Sequence, residues 1–141
     1  MSAPILFCIP GEARGKGRPR FARRGNFVKT YTDAKTASFE NLVAYAGNLA
    51  MQGRPPLAGA VAMQIKLRII PPASWSKKKR EAALAGGLHP TSKPDLDNVA
   101  KAILDALNGI CFIDDKQVIS LSVSKSYAEA ADAMVSIEEV A

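Results

Sequence analysis

Residues 93–117, KPDLDNVAKAILDALNGICFIDDKQ, hold the side chains best able to do chemistry: Asp95, Asp97, Lys101, Asp114 and Asp115. Pro94 biases Lys93 towards extended backbone. Val99, Ala100, Ile103, Leu104 and Leu107 then recur at helical spacing, which predicts a helix from about residue 95. Asn108-Gly109 supplies its stop, since both residues tolerate left-handed backbone. Asp97, Lys101 and Asp105 fall at i, i+4 and i+8 on one flank of that helix, with Asp95 at or just outside its cap. Residues 110–113 read as a short strand ending in Asp114-Asp115, and a second strand starts near 117–118. If that hairpin packs beside the helix start, three or four carboxylates meet.

Carboxylates a few ångströms apart repel, and one of them protonates unless a cation intervenes. A divalent cation removes the conflict. Mg²⁺ takes a few hard carboxylate oxygens and keeps waters for substrate phosphates. Paired ions about 3.5–4 Å apart can clamp the attacking and leaving oxygens of a phosphodiester. Lys101 would then stand near the developing negative charge. The same residues also have a plainer reading: Asp95 or Asp97 as a helix cap or dipole partner, Asp114-Asp115 as a solvated turn, and Asp97, Lys101 and Asp105 as a surface ladder.

The charge distribution favours a polyanionic partner. The chain of 141 residues carries a formal charge of +6. Residues 1–93 contribute +12 and residues 94–141 contribute −6, so a basic part could hold what an acidic part processes. Hydrophobic residues make up 48% and charged residues 23%, as in an ordinary globular domain. We expect one domain over residues 1–141. No run approaches the roughly 20 apolar residues of a membrane span, and residues 5–9 are too few for a secretory signal. Cys8 and Cys111 sit in apolar runs and read as buried free thiols of a cytosolic protein. One histidine and no cysteine pair give no zinc pattern.

In chain order, residues 5–9 read as an opening strand. A mobile basic loop follows over residues 10–25, with Arg14, Lys16, Arg18, Arg20, Arg23 and Arg24 placed to contact phosphates and Phe21 or Phe27 available to stack. Thr32 or Asp33 looks like the N-cap of a helix whose stripe, Phe39, Leu42, Val43, Ala46, Leu49 and Ala50, serves as core or as dimer interface. Val61 to Ile69 alternate as a half-buried strand. Ser76 caps a short helix over residues 77–85. Its run Lys77, Lys78, Lys79 and Arg80 is either a second DNA-contacting patch or a solvated face. Trp75 reads as a packing anchor and His89 as a surface residue. Strands follow from Val118 and over residues 134–137, with Glu129 and Asp132 in the turn between them. The fold class is α+β: one mixed β-sheet with helices packed chiefly on one face.

The strings GKGRPRF, KPDLDNVAKAILDALNG and IDDKQV together resemble the RusA family of Holliday junction resolvases, whose pattern is D-x-D-N-x-x-K followed by D-D-x-Q. The resemblance implies that Asp95, Asp97 and Asp115 bind the catalytic Mg²⁺, with Mn²⁺ as a substitute, and that Lys101 is catalytic. Asp114 matches a position beside the site. It further implies a homodimer that cuts four-way DNA junctions symmetrically in a bacterial or phage-infected cytoplasm. Two other readings stand beside it: a non-catalytic nucleic-acid-binding module, and a related nuclease acting on other branched DNA.

Overall fold

The structure, a computed structural model, describes residues 3–15, 20–24, 27–31 and 34–141, with side chains described for 3–15 and 34–141. In chain order the elements are β1 (Ile5–Pro10), β2 (Arg20–Arg24), β3 (Phe27–Tyr31), α1 (Ala34–Met51), β4 (Val61–Ile69), α2 (Lys77–Leu84), α3 (Leu96–Leu107), a 3-10 turn (Asp115–Gln117), β5 (Val118–Tyr127) and β6 (Asp132–Glu139). The described residues form a four-stranded sheet in the order β1-β6-β4-β5 and a separate β2–β3 hairpin. β6 runs antiparallel to both β1 and β4, whereas β4 and β5 are parallel. A parallel pair needs a long crossover, and here that crossover is residues 70–117, which contain α2, α3 and every acidic candidate.

Alternation fixes which face of the sheet is covered. Val61, Met63, Ile65 and Leu67 of β4 are buried, as are Ile5 and Ile9 of β1 and Ala133, Val135 and Ile137 of β6. The pairing Ile5↔Ile137 and Ile65↔Val135 sets them on one face. Phe39, Val43 and Met51 of α1 and Val99, Ile103 and Leu107 of α3 complete that core. The α+β class and the one-sided packing therefore hold.

Other expectations change. Cys111 is buried but Cys8 is exposed, because Cys8 occupies the strand parity opposite Ile5 and Ile9. Residues 110–113 form no strand: Phe112 is fully buried and pairs only through isolated bridges to Leu57 and Asn108. A short apolar run is the same string whether it is a strand or a buried turn. Asp132 lies inside β6 rather than in the preceding turn, buried and held by Arg68. The basic segment is not all loop, since β2 and β3 pair from Arg20↔Tyr31 to Arg24↔Phe27. On α1 the apolar stripe divides: Phe39 and Val43 face the core, while Leu42 and Leu49 are exposed, as is Tyr45 outside the stripe. The proposed caps Thr32 and Asp33 lie outside the described residues, as do Lys16 and Arg18.

Candidate metal and nucleic-acid site

α3 opens as its sequence requires and turns its polar flank outward. Val99, Ala100, Ala102, Ile103 and Leu107 are buried, which leaves Asp95, Asp97 and Lys101 exposed. Asp95 occupies the N-cap position with extended backbone, yet its side chain makes no capping bond. Its Oδ2 instead accepts from Asn98 Nδ2 at 3.2 Å. Asp97 lies in the first helical turn, where a negative charge suits the helix dipole.

Two distant segments clamp this helix start. Lys125 of β5 donates from Nζ to the carbonyls of Ser92 at 2.7 Å and Pro94 at 3.0 Å. From the other side, Gly15 packs on Asn98 so closely that a Cβ there would meet Asn98 Cβ at 2.7 Å. The Gly15 carbonyl accepts from the hydroxyl of buried Thr36 at 3.2 Å. Between the Gly15 segment, the end of β4 and the start of α3 lies a cleft of about 450 Å³. Arg14, Lys35, Arg68 and Lys93 line it, opposed by Glu12 and Asp95. Arg14 pairs with Glu12 at 3.1 Å.

The second acidic segment is a built turn. Asp114 Oδ1 accepts from the Asp115 amide at 3.0 Å, and Gln117 Oε1 accepts from the Asp114 amide at 2.8 Å, a reciprocal capping box. Gln117 Nε2 donates to the carbonyls of Leu57 at 2.7 Å and Gly59 at 2.8 Å, pinning the turn to the segment before β4. Asp114 thus shapes the turn, and the neighbouring Asp115 carboxylate is the one presented. Its pKa is raised above the ordinary aspartate value, first by burial and then by Asp114, with Asp105 adding and Lys101 opposing. Lys101 Nζ lies 3.9 Å from Asp105 Oδ2.

The sequence model of endodeoxyribonuclease RusA matches residues 10–138. The chain belongs to the RusA family. The uncharacterized protein YqaN of Bacillus subtilis (strain 168) is 43% identical over 140 residues, covering 96% of each chain.

Within this RusA-family chain the acidic residues fall into two groups rather than one. Asp95 and Asp97 stand at the start of α3. Asp114 and Asp115 neighbour Lys101 and Asp105, further along the same helix. Among the described residues no group of three or more His, Cys, Asp or Glu side chains is arranged to hold a metal ion. The expected meeting of three or four carboxylates is therefore not formed: the turn after α3 brings Asp115 to Lys101 and Asp105. The donor chemistry nonetheless fits a hard divalent cation. All candidates are carboxylates, the Asp95 carboxylate is not used in capping, and Asp115 sits among negative charges that a cation would relieve.

The basic residues of the RusA chain sort by what they touch. Arg20, Arg23 and Arg24 lie on β2, and Phe21 and Phe27 on β2 and β3. In the second patch, Ser76 caps α2 by accepting from the Lys79 amide at 3.2 Å. Lys79 Nζ lies 4.1 Å from the Trp75 ring centroid, and Trp75 meets Tyr127 edge-on at 5.4 Å. Arg80 donates to the Pro72 carbonyl at 3.1 Å. Trp75 is thus a packing anchor, as its place before the helix suggests. Lys77, Lys78 and Lys79 are all exposed and Arg80 is half-buried, but only Lys79 and Arg80 also make contacts within the fold. His89 is exposed as well. Among the described residues no helix is long and apolar enough to cross a membrane. Sequence reasoning missed Lys125 and Gln117. The one signal for Lys125 is a lysine at the β5 parity of Val123, in register with buried Leu67.

Proposed function

We propose that this chain is a Mg²⁺-dependent endonuclease that resolves four-way DNA junctions by paired symmetric nicks, acting in the bacterial cytoplasm and encoded by the bacterium or by a phage. The observation that carries the reading is the D-x-D-N-x-x-K string on the outward flank of α3, in a member of the RusA family. Asp95, Asp97 and Asp115 would hold the ion, with Mn²⁺ as a substitute. A bound Mg²⁺ supplies charge neutralisation at the phosphodiester under attack. Lys101 adds a fixed positive charge where negative charge grows on the phosphate oxygens. Arg14 and Lys93 of the cleft, Lys16, Arg18, Arg20, Arg23 and Arg24 of the basic segment, and Lys77 and Lys78 of α2 neutralise backbone phosphates along the arms. Lys79 and Arg80 contribute charge to the same patch while holding α2.

Two nicks related by symmetry call for two sites, which a C2 dimer provides. Leu42, Tyr45 and Leu49 on the outward side of α1 offer apolar surface for the second copy. Light scattering is expected to return twice the 15.0 kDa chain mass.

The test is incubation of the purified protein with a synthetic four-way junction, with and without Mg²⁺. Paired nicks that require Mg²⁺, lost in Asp95→Asn, Asp97→Asn and Asp115→Asn while junction binding persists, are the expected result. Cutting of other branched DNA in preference to the four-way junction would make this a related nuclease. Binding without cleavage at any Mg²⁺ concentration would leave a DNA-binding module.

A further inference from the structure

Lys125 is an unusual occupant of its position. It follows Leu121 and Val123 at the same parity of β5, and its register partner Leu67 is buried. Lys125 is half-buried, on the side of β5 that carries Val123, and a lysine drawn off the solvent needs partners for its ammonium. Here the partners are two main-chain carbonyls, Ser92 at 2.7 Å and Pro94 at 3.0 Å. They belong to a segment 31–33 residues away in sequence. The Pro94 carbonyl is part of the peptide unit that leads directly into Asp95. The segment has few alternatives for this anchorage: residues 91–94 lie in no helix or strand, and Ser92 and Lys93 are exposed. A charged donor binds carbonyl oxygens more strongly than a neutral one. Three N–H groups on one atom let a single side chain hold two carbonyls at once.

We propose that Lys125 is a positioning residue for Asp95: its ammonium fixes the 92–94 segment and so sets where the Asp95 carboxylate stands at the head of α3. The proposal rests on the reading of Asp95 as a metal-binding carboxylate. Groups that orient metal ligands from behind, when removed, typically weaken metal binding or activity about 10–100-fold.

The experiment measures Mn²⁺ binding to the DNA-free protein by calorimetry, junction cleavage as a function of Mg²⁺, and hydrogen exchange of the peptide spanning residues 92–97. Lys125→Met is expected to weaken Mn²⁺ binding and raise the Mg²⁺ midpoint for cleavage by about 10-fold or more. Saturating Mg²⁺ should restore much of the rate. Exchange should quicken over residues 92–97 while β4 and β6 remain protected. Lys125→Arg, which keeps charged donors, should recover most of the metal affinity. If the methionine variant does not fold, Lys125→Gln, with two N–H donors on a shorter stem, carries the same measurements. A Lys125→Met protein that binds Mn²⁺ like the wild type, beside an Asp95→Asn protein that has lost binding, overturns the positioning role alone. Unchanged Mn²⁺ binding in Asp95→Asn overturns the reading of Asp95 and the role of Lys125 with it.

Discussion

Gly15 rests against Asn98, leaving no room for a side chain: a Cβ on Gly15 would lie 2.7 Å from Asn98 Cβ. Neither atom is the far end of a flexible side chain, so the backbone must move to relieve the contact. The contact joins the first basic segment to the first turn of α3, beside Asp95. Gly15→Ala should therefore act through sterics alone. Overpacking of this kind costs about 1–3 kcal/mol, and urea denaturation should register the loss. Because the displaced segment carries Arg14, junction affinity should fall as well. Unchanged stability and affinity would mean that the segment is free to shift.

Lys101 offers a sharper separation of structure from chemistry. Its side chain is 65% exposed and sits 3.9 Å from Asp105. An exposed i, i+4 pair is worth only about 0.3–0.5 kcal/mol. Lys101→Met is thus expected to leave stability and Mn²⁺ binding nearly intact. Loss of one preorganised charge at a transition state slows reaction by about 10²–10³-fold, and single-turnover cleavage at saturating enzyme should show it. A rate within a few-fold of wild type would reduce Lys101 to the partner of Asp105.

The four cations of α2 should divide by assay. Replacing Lys77 and Lys78 with alanine should flatten the salt dependence of binding, by about 0.9 in the slope of log K against log salt for each phosphate no longer neutralised. Thermal stability should not change. Lys79→Ala and Arg80→Ala remove the ammonium over Trp75 and the bond to Pro72, so they should lower the melting temperature. If all four variants behave alike, the division is refuted.

Arg68 and Asp132 set a pH dependence. Arg68 donates through Nε to Asp132 Oδ1 at 2.7 Å and through Nη2 to Oδ2. The guanidinium holds the Asp132 carboxyl below the ordinary aspartate value, against an opposing effect of burial. A carboxyl with a depressed folded pKa stabilises the fold fully above its unfolded pKa, about 3.9. That contribution disappears as pH falls through the folded value. Asp132→Asn should thus be less stable than wild type at pH 7, by about 1 kcal/mol because Arg68 is half exposed. The gap should narrow below about pH 4. Urea denaturation of both proteins across pH 3–7 measures it, and a gap independent of pH would exclude the linkage.

What could be read from the string follows the range of the forces involved. α3 is legible because five buried residues repeat along one face, and α2 because Ser76 accepts from the amide three residues on. β4 shows its alternation directly. The types of the candidate site residues are equally plain. Their placement is not. Whether the turn at Asp114 returns to the first or the middle turn of α3 depends on Gln117 reaching Leu57 and Gly59, 60 and 58 residues away. The duty of Lys125 depends on carbonyls on another element. The exposure of Cys8 is hidden because an apolar run does not reveal which of its two parities faces inward. The β2–β3 hairpin is hidden because its arginines and glycines obscure the alternation of a strand.

β6 comes last among the described strands, yet it lies between β1 and β4. On the ribosome it therefore emerges after everything it must join. Until then β1 has no neighbour in the sheet, and the inward side chains of β4 pack on helices over half a floor. The pairing Ile5↔Ile137 closes nearly the full length of the chain, a contact of the kind that forms slowly. The sheet whose inner face buries Val99 and Ile103 of α3 is complete only when β6 slots in, so the helix that carries Asp95 and Asp97 gains its full floor last.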